Sequence, residues 1–512
     1  MLRGAPPGFG MINLDSVLFV GAVILIVAIV AARIGSRVGL PALLVFLALG
    51  MALGDSGPLG WRFDNADLAQ ALGFGALVLI LAEGGLTTRW RDIRPSIGPA
   101  VMLATVGVGV SIGLMTVFGY FVLGLDLWVA VLLGAVTAPT DAAAVFSVLR
   151  RVPIPHRLRG MLEAESGLND APTVLIVGVA STAALTGTTE GGGGFALVGL
   201  IVLELVAGLL IGIALGWLGV QILRRTALPS SGLYPLATLV WAVFAFGVAG
   251  LLHTSGFAAV YACAVILGNA NLPHRGATRS FVEGVGWIAQ IGLFVMLGLL
   301  STPSRLTGNI VLVAVIAGLF LTFVARPLSV LASVAPFRVP ARQQLFLSWA
   351  GLRGAVPIVL ATVPLSVGVP SATYLFDVVL VFVVVFTCLQ GPTLPFVGRR
   401  LGLINDETAS EVEVEVAPLD KISADLLQVR IPPGSRLSGI EIAELRLPKD
   451  TVVSLIIRDA TPFTPSARDR IKVGDELLVV TPTAQRDNTE ERLRSLGRGG
   501  RLARWRGRNR VE

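Results

Sequence analysis

Thirteen long apolar runs constrain the fold of this chain more than any other feature. A helix needs about 20 apolar residues to cross a hydrocarbon core of roughly 30 Å. The centres of the thirteen runs lie near Ile24, Val45, Leu77, Gly109, Gly134, Leu175, Ala207, Phe244, Val260, Leu293, Val315, Val356 and Val381. The runs at Val45 and Val260 are shorter than the others. Only 14% of the 512 residues are charged, against about a quarter in soluble domains. The sequence therefore predicts a polytopic α-helical membrane protein.

The distribution of arginine predicts the orientation of these spans. Loops after odd-numbered spans carry seventeen arginines, whereas loops after even-numbered spans carry two, Arg62 and Arg305. Because positive charge is enriched in cytoplasmic loops, we expect the N-terminus outside and everything beyond Arg400 in the cytoplasm. We interpret the first run as a retained span rather than a signal peptide, since only Arg3 precedes it and no basic n-region is present.

Two spans contain helix breakers at equivalent positions. Thirteen spans divide into six, one and six, and a single separating span makes the two sixes inverted repeats. The fifth member of each six is interrupted, at 137–141 in span 5 and at 351–357 in span 12. Unwound carbonyls and half-helix ends can coordinate ions. The pattern predicts a transport site near the middle of the membrane.

Four polar side chains lie close together in the sixth span. On a helix, Ser166 and Asp170 share one face, and Glu165 and Asn169 share the adjacent face. A carboxylate in hydrocarbon costs several kcal/mol unless it faces water, a partner or an ion. We therefore predict that a proton and a metal cation compete for Asp170. Such competition is sufficient for antiport when the site opens alternately to each side of the membrane.

Further oxygen donors are expected around this carboxylate. Ser166 adds a hydroxyl, and Thr140 offers a hydroxyl and a freed backbone carbonyl. Asp141 is expected to neutralise half-helix N-termini or to steer ions. Glu83 in span 3 is a further intramembrane acid, although its side chain could instead reach the nearby interface. The residues alone thus predict a monovalent cation site at Asp170 with Ser166 and Thr140, and Asp141 and Glu83 are the further acids near it.

Glu165 and Asn169 are interpreted as structural residues. Arg353 in the broken span 12 and Arg326 in span 11 are alternative ion-pair partners for Glu165. An arginine stays protonated even when buried, so such a pair would join two helices without titrating. Asn169 can bond to a helix end or an acid without adding negative charge. A single titrating acid favours one-for-one exchange.

No enzyme motif accompanies the spans. The sequence contains neither a Walker A motif nor a Thr-Val-Gly-Tyr-Gly filter, which disfavours ATP-driven pumping and a potassium-channel pore. Cys263 and Cys388 both lie in apolar runs, and this argues against a disulfide framework or a metal cage. We expect no enzymatic activity, no cofactor and no nucleic-acid partner.

The sequence changes character after the last span. Residues 1–400 form the predicted transmembrane domain, and the acidic stretch 401–419 a predicted linker. Residues 420–484 are predicted to form a small α/β domain, with strands near 426–431, 452–457 and 476–480 and a short helix near 440–445. Gly434 and Gly474 mark turns. We expect the arginine-rich tail, 485–512, to be disordered.

Three motifs carry a family resemblance. TAPTDAAAV, EAESGLNDAP and GLRGAVP, in this order, resemble the NhaP-type cation/proton antiporters of bacteria. The cytoplasmic segments GSRLSGIEIAELRLP and IKVGDELLVV resemble the C-terminal RCK (TrkA-C) regulatory domain. The combination is similar to the cell-volume-regulation subgroup of potassium/proton antiporters.

The resemblance implies an architecture and a set of ligands. It implies a homodimer in the bacterial cytoplasmic membrane, with a core of spans 4–6 and 11–13 that moves against a dimerisation domain. It implies a structural pair between Glu165 and an arginine of the second broken helix, and Asn169-Asp170 as a signature of electroneutral exchange. It implies cation ligation by Asp170, Ser166, Thr140 and Glu83. Two positions depart from the family pattern, because Ala142 and Glu83 stand where many relatives have proline and aspartate.

Three functional interpretations follow. The favoured one is an antiporter that exchanges K⁺, or also Na⁺, for H⁺. A Na⁺/H⁺ antiporter of the same fold is the near alternative, because oxygen ligands alone do not separate two alkali cations. An RCK-regulated cation channel is an alternative of a different class, and it would need no counter-ion. The RCK domain could bind a small regulatory ligand, but the lack of a Gly-rich nucleotide fold argues against NAD.

Overall fold

The chain folds into a helical membrane domain followed by a small α/β domain. The computed structural model describes residues 14–38, 42–55, 57, 60–61, 63–141, 144–145, 154–187, 194–404, 413–419 and 424–500. In these ranges, eight helices are long and apolar enough to cross a membrane, and five shorter apolar helices accompany them. Each of the thirteen predicted centres lies in one of these helices. The predicted polytopic helical architecture is confirmed.

The helices of the membrane domain vary widely in length. In chain order they are α1 Leu14–Val38, α2 Ala42–Leu53, α3 Ala66–Thr87, α4 Trp90–Ile93, α5 Ile97–Met102, α6 Val108–Phe121, α7 Leu127–Thr137, α8 His156–Leu168, α9 Asp170–Thr186, α10 Gly194–Arg225, α11 Leu233–Leu251, α12 Gly256–Asn269, α13 Arg275–Leu300, α14 Gly308–Phe320, α15 Arg326–Val334, α16 Ala341–Trp349, α17 Ala355–Ser366 and α18 Ala372–Arg400. Five-residue π segments, Leu103–Gly107 and Leu321–Ala325, join α5 to α6 and α14 to α15.

Both predicted helix breaks are present. In span 5, α7 ends at Thr137, and residues 138–141 are not helical. In span 12, residues 350–354 separate α16 from α17. Spans 4 and 11 show a second correspondence, because each contains one of the π segments. The same irregularities therefore recur seven spans apart, as two six-span repeats with one span between them require.

Local sequence signals position the helices that surround the later site. Asn65 caps the N-terminus of α3 by accepting a hydrogen bond from the backbone N–H of Leu68 at 2.9 Å. Gly187, in the left-handed conformation with φ 69°, ends α9. α3 packs against α12, α13 and α17, and α9 packs against α7 and α17. The space between these two groups of helices holds the candidate site.

In its described residues, the C-terminal domain contains a five-stranded antiparallel sheet and one α-helix, and the short helix predicted near 440–445 is a 3-10 helix, Ile442–Leu445. The strands are β1 Glu413–Leu419, β2 Ala424–Arg430, β3 Val452–Arg458, β4 Thr461–Phe463 and β5 Glu476–Pro482, in the spatial order β1-β2-β5-β3-β4. Alternate residues of β2 and β5 are buried, as the period of a strand requires. The last helix is α19, Arg486–Gly499. Gly434 and Gly474 both have φ 88°, as the predicted turns need.

Two expectations about this region are corrected. The segment 401–419 is not a linker throughout, because its last seven residues form β1 and pair with β2. Its alternating Glu and Val residues have the two-residue period of a strand, which the high acidity obscured. The tail is not disordered throughout either, because residues 486–499 form α19. Leu493 and Leu496, three residues apart, are buried against the sheet and stabilise this helix.

The helix α19 also faces the membrane domain. Arg89, just after α3, lies 3.7 Å from Glu490, and Arg91 in α4 lies 3.8 Å from Asp487 and 4.0 Å from Glu491. The exposed fraction of the side chain is between 39% and 75% for Arg89, Arg91, Asp487 and Glu491. It is 17% for Glu490, which is therefore mostly buried. The two domains therefore meet through charged surfaces.

Some sequence-based expectations fall on other parts of the chain. Ala142, Arg62 and segments 150–151, 405–410 and 501–512 lie outside the described residues.

Candidate ion site

The two broken helices cross at Asp141. Its backbone N–H donates to the carbonyl of Leu352 at 2.9 Å, and its Oδ2 accepts from the backbone N–H of Ala355 at 2.6 Å. Ala355 is the first residue of α17. A carboxylate is favourable at a helix N-terminus because backbone N–H groups there lack partners. Asp141 thus joins the break in span 5 to the start of the half-helix in span 12.

Gly354 makes this crossing sterically possible. A Cβ atom at Gly354 would lie 2.1 Å from Asp141 Oδ2 and 3.2 Å from the Cβ of Ala144. Any side chain would push the carboxylate away from the N-terminus of α17. The glycine of the GLRGAVP motif is therefore needed for close approach.

Arg353 lies at a helix C-terminus, whereas Asp141 lies at a helix N-terminus. Its guanidinium donates from Nε to the carbonyl of Thr137 at 3.4 Å, and from Nη1 to the carbonyl of Gly351. Thr137 is the last residue of α7, where carbonyls lack intrahelical partners. Arg353 is 2% exposed. The crossing thus places an anion at one helix N-terminus and a cation at one helix C-terminus.

Glu165 pairs with Arg326, and not with Arg353. Arg326 Nη1 and Nη2 donate to the two carboxylate oxygens of Glu165 at 2.6 and 2.9 Å, and both side chains are almost fully buried. The expectation that the partner comes from the second broken helix is wrong. Arg326 follows the π segment of span 11 directly and reaches α8, whereas Arg353 is already bonded to carbonyls at the break.

Thr140, Ser166 and Asn169 form a buried hydrogen-bond network. The hydroxyls of Thr140 and Ser166 lie 2.9 Å apart, and Asn169 Nδ2 donates to Thr140 Oγ1 at 2.8 Å. Asn169 Oδ1 and Asp170 Oδ1 are buried and, within the described part of the chain, have no hydrogen-bond partner. Two unpartnered oxygens beside this network are suited to a cation, since a buried polar oxygen without a partner is costly.

Asp141 and Asp170 both line a cavity within the membrane domain. The lining includes Leu77, Ile80, Leu81 and Gly84 of α3, and Thr88 directly after it. From α8 and the start of α9 it includes Glu163, Gly167 and Asp170. The remaining lining residues include Tyr261 of α12, Gln290 and Phe294 of α13, and Ala355 and Val356 of α17. The cavity thus runs between the two groups of helices and reaches the carboxylate of Asp170.

Glu83 is not among the described residues that line this cavity. A Cβ atom at Gly286 of α13 would be 2.7 Å from Glu83 Oε2, so the carboxylate packs against that helix. Among the described residues that line the cavity, α3 contributes Gly84 but not Glu83. The structure therefore brings together Asp170, Asp141, Ser166, Thr140 and Asn169, and the assignment of Glu83 as a ligand stays a prediction.

The sequence analysis missed four polar residues that line the cavity: Thr88, Glu163, Tyr261 and Gln290. A signal for Glu163 was available, because residues 163, 167 and 170 follow the i, i+4, i+7 spacing of one helical face. Tyr261 and Gln290 lie in different spans, and spacing along the chain does not show which spans are neighbours.

Comparisons with known proteins agree with this architecture. Residues 22–400 match the family model of the transmembrane sodium/hydrogen exchanger, and residues 426–494 match the TrkA-C domain. The chain is 36% identical to the K⁺/H⁺ antiporter NhaP of Alkalimonas amylolytica, over 92% of this chain and 82% of that protein. It is 32% identical to the K⁺/H⁺ antiporter NhaP2 of Shewanella oneidensis, over 91% of this chain and 81% of that protein.

A solved structure shows the same fold. The sodium proton antiporter MjNhaP1 of Methanocaldococcus jannaschii superimposes with a TM-score of 0.63 at 21% identity, covering 76% of this chain and 99% of that one. The family model covers well over half of the sequence, and the broken helices and embedded carboxylates lie inside the matched region. The chain therefore belongs to the transmembrane sodium/hydrogen exchanger family and is a cation/proton antiporter with a C-terminal TrkA-C domain.

Proposed function

We propose that this antiporter exchanges K⁺ for H⁺ and that the two ions compete for Asp170. The observation that carries this proposal is the buried, unpartnered Oδ1 of Asp170 at the cavity wall. An embedded carboxylate with a free oxygen can hold either a proton or a cation. The hydroxyls of Thr140 and Ser166 and the free Oδ1 of Asn169 are further oxygen donors close to it.

The surrounding charges favour electroneutral exchange. Arg326 neutralises Glu165, and the N-terminus of α17 stabilises the ionised form of Asp141. Asp170 is then the acid at the helix crossing that is free to titrate. One proton that replaces one monovalent cation leaves the net charge of the core unchanged.

K⁺ is the proposed cation because two relatives that each span over nine tenths of this chain are named K⁺/H⁺ antiporters. Na⁺ is the alternative, since the Na⁺/H⁺ antiporter NhaS2 of Synechocystis is 27% identical over 79% of this chain. The oxygen donors themselves fit both ions.

The proposal extends to the setting of the protein. The arginine asymmetry supports a bacterial cytoplasmic membrane with the TrkA-C domain in the cytoplasm. Thr88, at one end of the cavity lining, is followed directly by Arg89, so this end faces the cytoplasm in the proposed orientation. A homodimer and a small regulatory ligand for the TrkA-C domain complete the proposal.

Proton efflux from proteoliposomes tests the proposed ion and residue. Liposomes with an acid interior and a pH-sensitive dye receive KCl or NaCl outside, with wild type and Asp170→Asn compared. We expect K⁺-driven efflux that the variant loses, because an amide cannot exchange a proton for a cation. Glu204→Gln is the matched control, since this embedded acid of α10 is not among the described cavity residues.

Each other outcome has a defined meaning. Efflux with Na⁺ alone would replace K⁺ by Na⁺ as the substrate. Exchange that persists in folded Asp170→Asn would exclude competition at this carboxylate. Glu83→Gln is added to the same assay, and the absence of Glu83 from the described cavity lining predicts retained exchange. Loss of exchange in that variant would support Glu83 as a ligand.

A further inference from the structure

The cavity contains a second polar cluster, separate from the one around Asp170. Glu163, seven residues before Asp170, lines the cavity together with Tyr261 and Thr88. Seven helical residues span about 10 Å. Oxygen ligands bind Ca²⁺ at distances of about 2.3–2.6 Å, and an alkali cation needs oxygen ligands at comparable distances. One ion cannot contact both carboxylates at once.

Tyr261 brings an unpartnered hydroxyl into this cluster. Its side chain is 7% exposed, and among the described residues its Oη makes no well-formed hydrogen bond. Thr88 is next to it, but the Thr88 hydroxyl donates to the carbonyl of Gly84 at 2.6 Å. A buried tyrosine hydroxyl normally finds a partner. The missing partner marks a position for a ligand that this hydroxyl can bind.

The ring of Tyr261 packs against Gly167, which also lines the cavity. A Cβ atom at Gly167 would lie 2.5 Å from two carbon atoms of the ring and 2.8 Å from its hydroxyl oxygen. Gly167 stands between Glu163 and Asp170 on the cavity wall. The ring therefore lies beside the part of the lining between Glu163, the outer of the two acids and nearer the start of α8, and Asp170, the inner one.

We propose that Glu163 and Tyr261 form an outer binding station for the alkali cation, which the ion occupies before it passes the tyrosine ring to Asp170. Glu163 supplies the negative charge, and the Tyr261 hydroxyl supplies a neutral oxygen that replaces part of the hydration shell. Tyr261 belongs to α12 and Glu163 to α8, so the station exists only while these two helices are in contact. The inference rests on the proposed function, because it assigns the route to the inner site.

The apparent KM for K⁺ on the cavity side tests this station. In membrane vesicles sorted for orientation, Glu163→Gln is expected to raise this KM about five- to tenfold, as loss of one charge-assisted contact does. The maximal rate stays within about twofold, because saturating K⁺ fills the inner site without the station. Tyr261→Phe raises the KM by a smaller factor, and Glu163→Asp restores it towards wild type. Glu204→Gln is again the control.

The outcomes separate this station from the inner site. An unchanged KM in both Glu163→Gln and Tyr261→Phe would contradict the proposed station. A lower maximal rate without a change in KM would also contradict it, because that result would indicate a structural role. Exchange that survives in Asp170→Asn is a failure of the inner site alone, and the KM effect of Glu163→Gln remains a separate measurement. Tyr261→Phe keeps the ring and removes only the hydroxyl. Its KM for K⁺ therefore still tests the station if Glu163→Gln does not fold.

Discussion

Single charged residues in the membrane domain differ in how their charge is balanced. Glu165 and Arg326 form a two-point ion pair, Asp141 lies at a helix N-terminus, and Arg353 lies at a helix C-terminus. Asp170 has one carboxylate oxygen with no partner among the described residues. The first four charges are held in fixed contacts that stabilise the core. The fifth charge, on Asp170, is free to bind a proton or a cation.

The Glu165–Arg326 pair gives a prediction about stability. Arg326→Gln leaves Glu165 buried without its counter-charge, and breaking such a pair costs about 3–5 kcal/mol. We expect a markedly lower unfolding temperature of the purified protein, measured by differential scanning fluorimetry. Glu165→Gln combined with Arg326→Gln should recover part of the loss, because no unpaired charge is left. Equal stability of the single variant and wild type would contradict the structural role.

Sequence reasoning at this scale identified the residues but not all of their partners. Ser166, Asn169 and Asp170 could be placed on adjacent faces because helical spacing relates residues within one span. The partner of Glu165 could not be decided, because both arginines lie more than 150 positions away along the chain. Tyr261 was missed for the same reason. Distances between spans depend on packing, and a single sequence does not encode them in its spacing.

At the scale of elements, irregular segments carry the functional geometry. The breaks in spans 5 and 12 were predictable, because Pro139, Gly351 and Gly354 interrupt otherwise apolar helices. The π segments were not predictable, since LATVG and LTFVA contain no strong breaker apart from one glycine. β1 and α19 were missed because high charge concealed a strand period and a pair of buried leucines.

The crossing of the two breaks gives a prediction of its own. Gly354→Ala would place a Cβ atom where Asp141 Oδ2 now lies, and displacement of that carboxylate uncaps α17. Loss of an N-cap costs about 0.5–2 kcal/mol, and we expect exchange in proteoliposomes to fall at least tenfold. Gly178→Ala in α9 is the matched control, since its Cβ would meet nothing within 4 Å. Unchanged exchange in Gly354→Ala would show that the crossing tolerates a wider spacing.

At the scale of the whole molecule, α19 links the TrkA-C domain to the end of α3. Glu490 lies near Arg89, and the adjacent Thr88 lines the cavity. Exposed ion pairs contribute only about 0–1 kcal/mol each. The contact between the domains is therefore weak enough to form and break during transport.

Removing one charge from this contact should change the apparent KM for K⁺ in a predictable direction. Glu490→Gln removes the carboxylate that lies 3.7 Å from Arg89 and 2.6 Å from Arg494. The resulting gain of positive charge near the cavity disfavours an entering cation. We expect the apparent KM for K⁺ on that side to rise about twofold, within the range of one exposed pair. Asp459→Asn, an exposed acid after β3, is the control and should have no effect. A lower KM in Glu490→Gln would mean that the docked domain blocks entry instead.

The charged contact at α19 also makes the protein responsive to its own substrate. Exposed charges are screened over about 8 Å at physiological ionic strength and over shorter distances as salt rises. If K⁺ is the main cytoplasmic cation, its accumulation weakens the pairs that hold Glu490, Asp487 and Glu491 near Arg89 and Arg91. The cytoplasm's ionic strength would then tune transport without any dedicated ligand. Choline chloride added at fixed K⁺ should therefore change the apparent KM for K⁺ in wild type, and change it less in Glu490→Gln, where one of these pairs is already absent.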